Sequence, residues 1–202
     1  MLTAMGDVMR EAYKRGWITT RDGNISLVQS NRETFYITPS GWRKTILHPE
    51  HILRIPIVDN ELELKEGMNP SGELEMHWNL QQPNKFRTRA VVHLHPTYTI
   101  SAMLKGFDLQ SMSKHFPELS RYTRVGPTVP VLPVISTELA WATAGNFYID
   151  SDGKVKYDIV GQAGHGVCAI GGNPWDAFEH IERLEHICQI VLASGVDPKD
   201  LQ

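Results

Sequence analysis

Two histidines separated by one residue stand in the apolar run Ala90-Val91-Val92-His93-Leu94-His95-Pro96. Side chains alternate faces along a strand, so His93 and His95 point the same way. Neutral imidazoles aimed at one point suit a divalent metal, zinc most often. A His-x-His pair on an apolar strand is also a common structural pair. A third ligand and a carboxylate from elsewhere in the chain would decide between the two readings.

Among the nine histidines, His165 is the best third ligand on local grounds. It sits between Gly164 and Gly166 before an apolar strand, where backbone can crowd close to a bound group. His77 follows Glu73 by four residues on one helical face, and reads as a ligand, a partner behind the ligands or a core histidine. His48 and His51 flank Pro49-Glu50 and read as surface residues. His180 and His186 lie among Glu179, Glu182 and Glu185, which reads as the solvated or interface face of the last helix. His115 stays open. The carboxylate candidates are Glu73 and Glu75. Glu73 falls in the first turn of a helix headed by Ser71-Gly72, where it is either a base beside the metal or a charge that favours the helix start. Gly23-Asn24-Ile25-Ser26, Thr38-Pro39-Ser40-Gly41 and Ser71-Gly72 are small-polar turns of a kind that can hold phosphate without a basic cluster.

The elements that must position these groups follow from periodicity and punctuation. Leu2, Met5, Met9, Ala12 and Tyr13 recur at helical spacing, and Gly16 ends that helix. Strands are predicted over 25–28, 34–38, 52–58 and 61–65, the last two forming a hairpin across Asp59-Asn60. A helix runs from Ser71 to about Gln82, the histidine strand from Ala90 to His95, and a short helix from Thr97 to Leu104. Residues 106–127 have no period and read as a loop with one helical turn. Val129 to Ile135 reads as an edge or irregular strand, because Pro130 and Pro133 interrupt it. Ser136 or Thr137 caps a helix to about Phe147. Asp152-Gly153 joins two strands, the second over 155–160, and Val167 to Ile170 is another. Asn173 caps a last helix, with Pro174 in its first position.

Strands outnumber helices and several are joined by hairpins. That predicts an α/β or α+β layered domain with a largely antiparallel sheet, not a doubly wound one. The 202 residues, 41% hydrophobic and 21% charged, fit one globular domain with a real core. A formal net charge of -3 gives no support to nucleic-acid binding. No apolar run approaches the roughly 18 residues of a membrane span, and the first residues lack the pattern of a signal peptide. No dinucleotide fingerprint or Walker loop is present. Cys168 and Cys188 are isolated in apolar context and read as reduced and buried. A cytoplasmic enzyme or binding protein is expected.

The five motifs together are more specific than any one. Gly23-Asn24-Ile25-Ser26, Thr38-Pro39-Ser40-Gly41, Ser71-Gly72-Glu73 with His77, His93-Leu94-His95-Pro96 and Gly164-His165-Gly166 resemble, in this order and spacing, the class II aldolase/adducin family. The resemblance covers nearly the whole chain. It implies a single αβα layered domain over 1–202, with a central, mainly antiparallel sheet flanked by helices. It implies a homotetramer with active sites between neighbouring subunits. His93, His95 and His165 match the ligands of one zinc, or another divalent ion, per subunit. Glu73 matches the carboxylate that serves as acid and base. Asn24, Ser40, Gly41, Ser71 and Gly72 match the phosphate-binding positions, although many members carry a second serine where this chain has Gly72. The aldolases place a tyrosine from a neighbouring subunit near the aldehyde. Lys114-His115-Phe116, with Tyr122 later, occupy that region here. The implied activity is a zinc-dependent, aldolase-type lyase that cleaves a small sugar or sugar phosphate through a metal-stabilised enediolate. Glu73 would move the proton and the loops would fix orientation. Epimerases, decarboxylases and dehydratases of the family use the same logic. Adducin-like heads share the fold as non-catalytic interaction modules and need no metal ligands.

Overall fold

The computed structural model describes residues 1–85 and 87–201. Its strands are β1 (Asn24–Val28), β2 (Thr34–Ile37), β3 (Leu53–Val58), β4 (Glu61–Leu62), β5 (Arg89–Leu94), β6 (Ile159–Gln162) and β7 (Gly166–Gly171). They form one seven-stranded sheet in the order β4-β3-β2-β1-β5-β7-β6. Every pairing between these strands is antiparallel. The expected sheet type is therefore observed.

Alternation along the central strands sorts the core into two layers. Ile25, Leu27, Ala90, Val92, Leu94, Val167 and Ala169 face one side. There they meet α1 (Leu2–Lys14) through Met5, Met9 and Ala12, and α7 (Pro174–Ser194) through Phe178, Ile181, Leu184 and Cys188. Burying each such large side chain contributes roughly 1.5–3 kcal/mol. Val91, Cys168 and Ile170 face the other side, against Met76 and Leu80 of α2 (Leu74–Gln81) and Ala140 of α6 (Thr137–Asn146). Helices thus cover both faces of the sheet. Asn173 caps α7 by accepting from the amides of Trp175 and Asp176, and Gly195 closes it with a left-handed φ of 71°. Ser136 accepts from Leu139 N and caps α6 in the same way.

The structure corrects four readings. Residues 106–127 are not a loop with a single turn but hold two helices, α4 (Leu109–Ser113) and α5 (Pro117–Tyr122), which follow the short helix α3 (Thr97–Leu104). Asp108 caps α4 through Ser111 N, Pro117 opens α5, and Leu109, Met112 and Leu119 are buried. Val129 to Ile135 forms no strand. Its prolines have no amide to donate, and Val129 alone makes a bridge, parallel to Gln162. The strands expected around Asp152-Gly153 shrink to one bridge, Ile149 with Val155, before β6 begins at Ile159. Finally, α2 starts at Leu74 rather than Ser71, which leaves Glu73 at its N-cap.

Candidate active site

The histidines meet at one end of the sheet because of strand register. His93 pairs with Asn24 on β1 and with Cys168 on β7, so it looks out on the α2 side beside those residues. His95 follows the strand, its amide held by Trp17 O at 3.0 Å. His165 sits in the turn between β6 and β7, closed by His165 N donating to Gln162 O at 3.0 Å. Gly166 makes the convergence possible. A Cβ there would stand 2.4 Å from Leu94 O and 2.9 Å from the His95 ring. Gly23 does the same ahead of Asn24. It has φ of 68°, and a Cβ would lie 2.7 Å from Ile18.

The ligand atoms of His93, His95 and His165 all lie within 4.8 Å of one another. His93 is fully buried and its Nδ1 is 2.9 Å from Val167 O. A carbonyl only accepts, so the proton sits on Nδ1 and Nε2 turns a lone pair inward. His95 Nε2 lies 2.9 Å from that nitrogen. Two imidazole nitrogens so close need one shared proton or a cation between them. Burial, then the neighbouring His93 and His165, push the His95 pKa down to about 3. Burial and His93 lower His165 as well. His165 Nδ1 is buried without a hydrogen-bond partner among the described residues. Neutral nitrogens gathered this closely fit a divalent metal.

Glu73 stands against this cluster. Its Oε2 is 3.3 Å from His93 Nε2 and accepts from Asn24 Nδ2 at 2.9 Å, while Oε1 is 4.0 Å from His165 Nε2. The carboxylate makes no capping bond to α2. The carboxylate's hydrogen bond and close contacts are thus with Asn24 and the histidines and not with the helix amides. Burial raises its pKa, but His93, the Asn24 hydrogen bond, His165 and His77 together outweigh it and hold the carboxyl below its ordinary value. Glu75 is elsewhere: its carboxylate accepts from Thr137 Oγ1 at 2.8 Å, tying α2 to α6.

The small-polar turns converge on the same place. Thr38-Pro39-Ser40-Gly41 and Asn69-Pro70-Ser71 pair side by side, with Ser40 N donating to Asn69 O at 2.9 Å and Ser71 N to Thr38 O at 3.0 Å. A cleft of about 380 Å³ is lined by Asn24, Ser40, Gly41, Ser71, Gly72 and Glu73, together with His95 and His165. Asn24 lines the cleft with its side-chain amide already bonded to Glu73 and lying against His77. No residue of the 106–127 segment lines it.

Several cleft residues had no sequence signal. Lys44 also lines it, buried, with Nζ donating to Arg21 O at 2.9 Å and Trp42 O at 3.1 Å. Burial pushes its amine down to about 8, partly opposed by Asp22. Ile135 lines it from a left-handed φ of 59°, rare for a β-branched residue. A Cβ on Gly72 would sit 3.0 Å from Ile135 Cδ1, so Ile135 occupies the side of the cleft where a serine at 72 would reach. His77 is completely buried, its pKa pushed down to about 3 by burial. Of its three readings, the partner behind the ligands is the one its contacts fit. His48 is exposed and His51 half-buried against Trp42, with ring centroids 4.6 Å apart. His180 is half-buried, 2.8 Å from Thr123 Oγ1, and His186 is exposed, whereas Glu185 is buried, so the last helix departs from a solvated face at Glu185.

The sequence model of the class II aldolase and adducin N-terminal domain matches residues 3–192. The chain belongs to that family. An L-fuculose phosphate aldolase of Methanococcus maripaludis (strain C5) is 29% identical over 180 residues, 88% of each chain. A 3-oxo-tetronate 4-phosphate decarboxylase of Escherichia coli O6:H1 is 27% identical, over 92% of this chain and 83% of the relative. The crystal structure of L-fuculose-1-phosphate aldolase from Thermus thermophilus superposes with a TM-score of 0.74 at 25% identity, over 96% of this chain and 93% of that one. Class II aldolase relatives of this chain are thus enzymes, and they differ in the reaction they catalyse. No described helix is long and apolar enough to cross a membrane.

Proposed function

We propose that this class II aldolase-family chain is a metal-dependent lyase, aldolase-type, acting on a small sugar phosphate. The observation that carries the reading is a carboxylate with one buried oxygen, Glu73 Oε1, that has no hydrogen-bond partner among the described residues, set beside three clustered imidazoles in a polar cleft. His93, His95 and His165 would hold one divalent ion, zinc by donor type. Such an ion supplies Lewis acidity, drawing negative charge from a carbonyl oxygen of the substrate. Glu73, ionised in its resting state, takes or returns the proton on the carbon that gains or loses its bond. Tying Oε2 to Asn24 leaves Oε1 as the oxygen that exchanges it. Ser40, Ser71 and the Gly41 and Gly72 amides orient the phosphate, with Lys44 and Arg21 as the cations of the cleft. The proteins named as relatives, an aldolase and a decarboxylase of phosphorylated compounds, support this substrate class. The site is completed between subunits of a cytoplasmic homotetramer.

Metal analysis and a substrate screen test the reading together. Purified protein should carry about one divalent ion per chain, and His95→Ala should lose metal and activity together. The screen offers L-fuculose 1-phosphate and 3-oxo-tetronate 4-phosphate, with aldehyde and carbon dioxide both monitored. Aldehyde release is expected. Carbon dioxide release would move the chain to the decarboxylases, and metal-free protein with full activity would end the proposal.

A further inference from the structure

A chain of buried hydrogen bonds runs from the far end of α2 to the Glu73 carboxylate. Gln81 Nε2 donates to Arg89 O at 3.0 Å and to Ser26 Oγ at 3.3 Å. Ser26 Oγ lies 2.7 Å from His77 Nδ1, and His77 Nε2 lies 2.5 Å from Asn24 Oδ1. Asn24 Nδ2 then donates to Glu73 Oε2 at 2.9 Å. Ser26, His77 and Gln81 are fully buried, and Asn24 nearly so.

The two ends dictate every proton between them. A carboxylate only accepts, so Asn24 turns its NH2 to Glu73 and its carbonyl to His77. That carbonyl only accepts, so His77 carries its proton on Nε2. Nδ1 is then an acceptor, and the Ser26 hydroxyl supplies its hydrogen. The Ser26 oxygen receives one hydrogen of the Gln81 amide, whose other hydrogen goes to the Arg89 carbonyl. Reversing any link sets donor against donor, or acceptor against acceptor, where burial leaves neither an easy replacement.

We infer that His77 is a positioning residue: through the Asn24 amide it holds Glu73 with Oε2 tied and Oε1 free to face the substrate. The catalytic consequence rests on Glu73 being the proton-transfer group. A reversed Asn24 amide would set its carbonyl against the carboxylate and repel it. With its proton on Nε2, His77 opposes that reversal from the other side of the amide, because a turned NH2 would face a donor. The sequence contains the pieces 53 residues apart, joined by the placement of α2 over β1.

The test uses His77→Leu, which removes both ring nitrogens, and His77→Gln, which keeps a donor and an acceptor. In nitrogen-15 spectra of the metal-free protein, wild-type His77 should be the Nε2–H tautomer and the Asn24 side-chain protons should be protected from exchange. Protection should be lost in His77→Leu and kept in His77→Gln. On a substrate found by the screen, His77→Leu should lower kcat about 10–100-fold, the scale for lost outer-shell partners. KM and metal content should stay near wild type, and His77→Gln should recover most of the rate. In a Glu73→Gln background, His77→Leu should add no further loss. An Nδ1–H tautomer in the wild type overturns the inference, even if His77→Leu fails to fold. So does unchanged Asn24 protection in His77→Leu, or an equal loss of kcat with and without Glu73. Full turnover of Glu73→Gln alone would instead overturn the proton-transfer reading, and the tautomer and the amide protection would still judge the hydrogen-bond chain.

Discussion

Lys44 enters the interior from a loop and spends its hydrogen bonds on two backbone carbonyls, those of Arg21 and Trp42. A lysine so placed binds its proton more weakly when folded, at about 8, than its ordinary 10.5. The folded state therefore holds fewer protons than the unfolded chain between those values, and stability rises with pH across that window. Below about 8 both states are protonated and the full penalty of burying the cation is present. Relative to Lys44→Met, the wild type should gain stability on the order of 3 kcal/mol between pH 8 and 10.5. Denaturant titrations of both proteins across that range measure the difference, and a flat difference would contradict the burial argument. The same amine, close to neutrality, can meet an anionic substrate as a cation at pH 7, when it is still mostly protonated.

Helix α3 begins two residues after His95, with Pro96 at its N-cap and no side-chain cap of its own. Its free amides are met from another element. Glu185 of α7 accepts from Tyr98 N at 2.9 Å, Thr99 N at 2.7 Å and Thr99 Oγ1 at 2.7 Å. A buried carboxylate at a helix start gains from both the hydrogen bonds and the dipole. Glu185→Leu should therefore lower stability by about 1.5–3 kcal/mol, the scale of hydrogen bonds to a charged group. A melting curve indistinguishable from wild type would contradict the assignment. This contact also marks where the sequence stops being readable. Glu185 lies among charged residues of a helix, and nothing local says that it caps another helix 86 residues away. By contrast β1, β5 and α7 were legible, because their apolar periods are the ones their packing uses. The helices α4 and α5 were not, since five and six residues are too few to carry a period. Val129 to Ile135 has strand-like side chains, but its prolines withdraw the donors a ladder needs. At the candidate site, the motif order singled out His93, His95, His165 and Glu73, and the fold brings those four side chains together. The true company of Asn24 was hidden, because it depends on a helix face brought over β1 by the fold.

Across the whole molecule, the sheet delivers the three histidines, the helix start delivers Glu73, and three turns form the walls of one cleft. Two apolar residues that line that cleft, Val134 and Ile135, are exposed by 60% and 66%. That surface beside the chemistry accords with a site completed by a neighbouring subunit. Light scattering at micromolar concentration should give a tetramer, and a monomer with full activity would contradict a shared site. The most direct measurement is the turnover of Glu73→Gln loaded with a divalent metal. The substitution keeps size and hydrogen-bonding reach but removes the charge and most of the basicity. Metal content should stay near one ion per chain, since the imidazoles remain, while turnover should fall about 10²–10⁴-fold. Turnover above about a tenth of wild type, far outside that scale, would remove Glu73 from the chemistry and contradict the account.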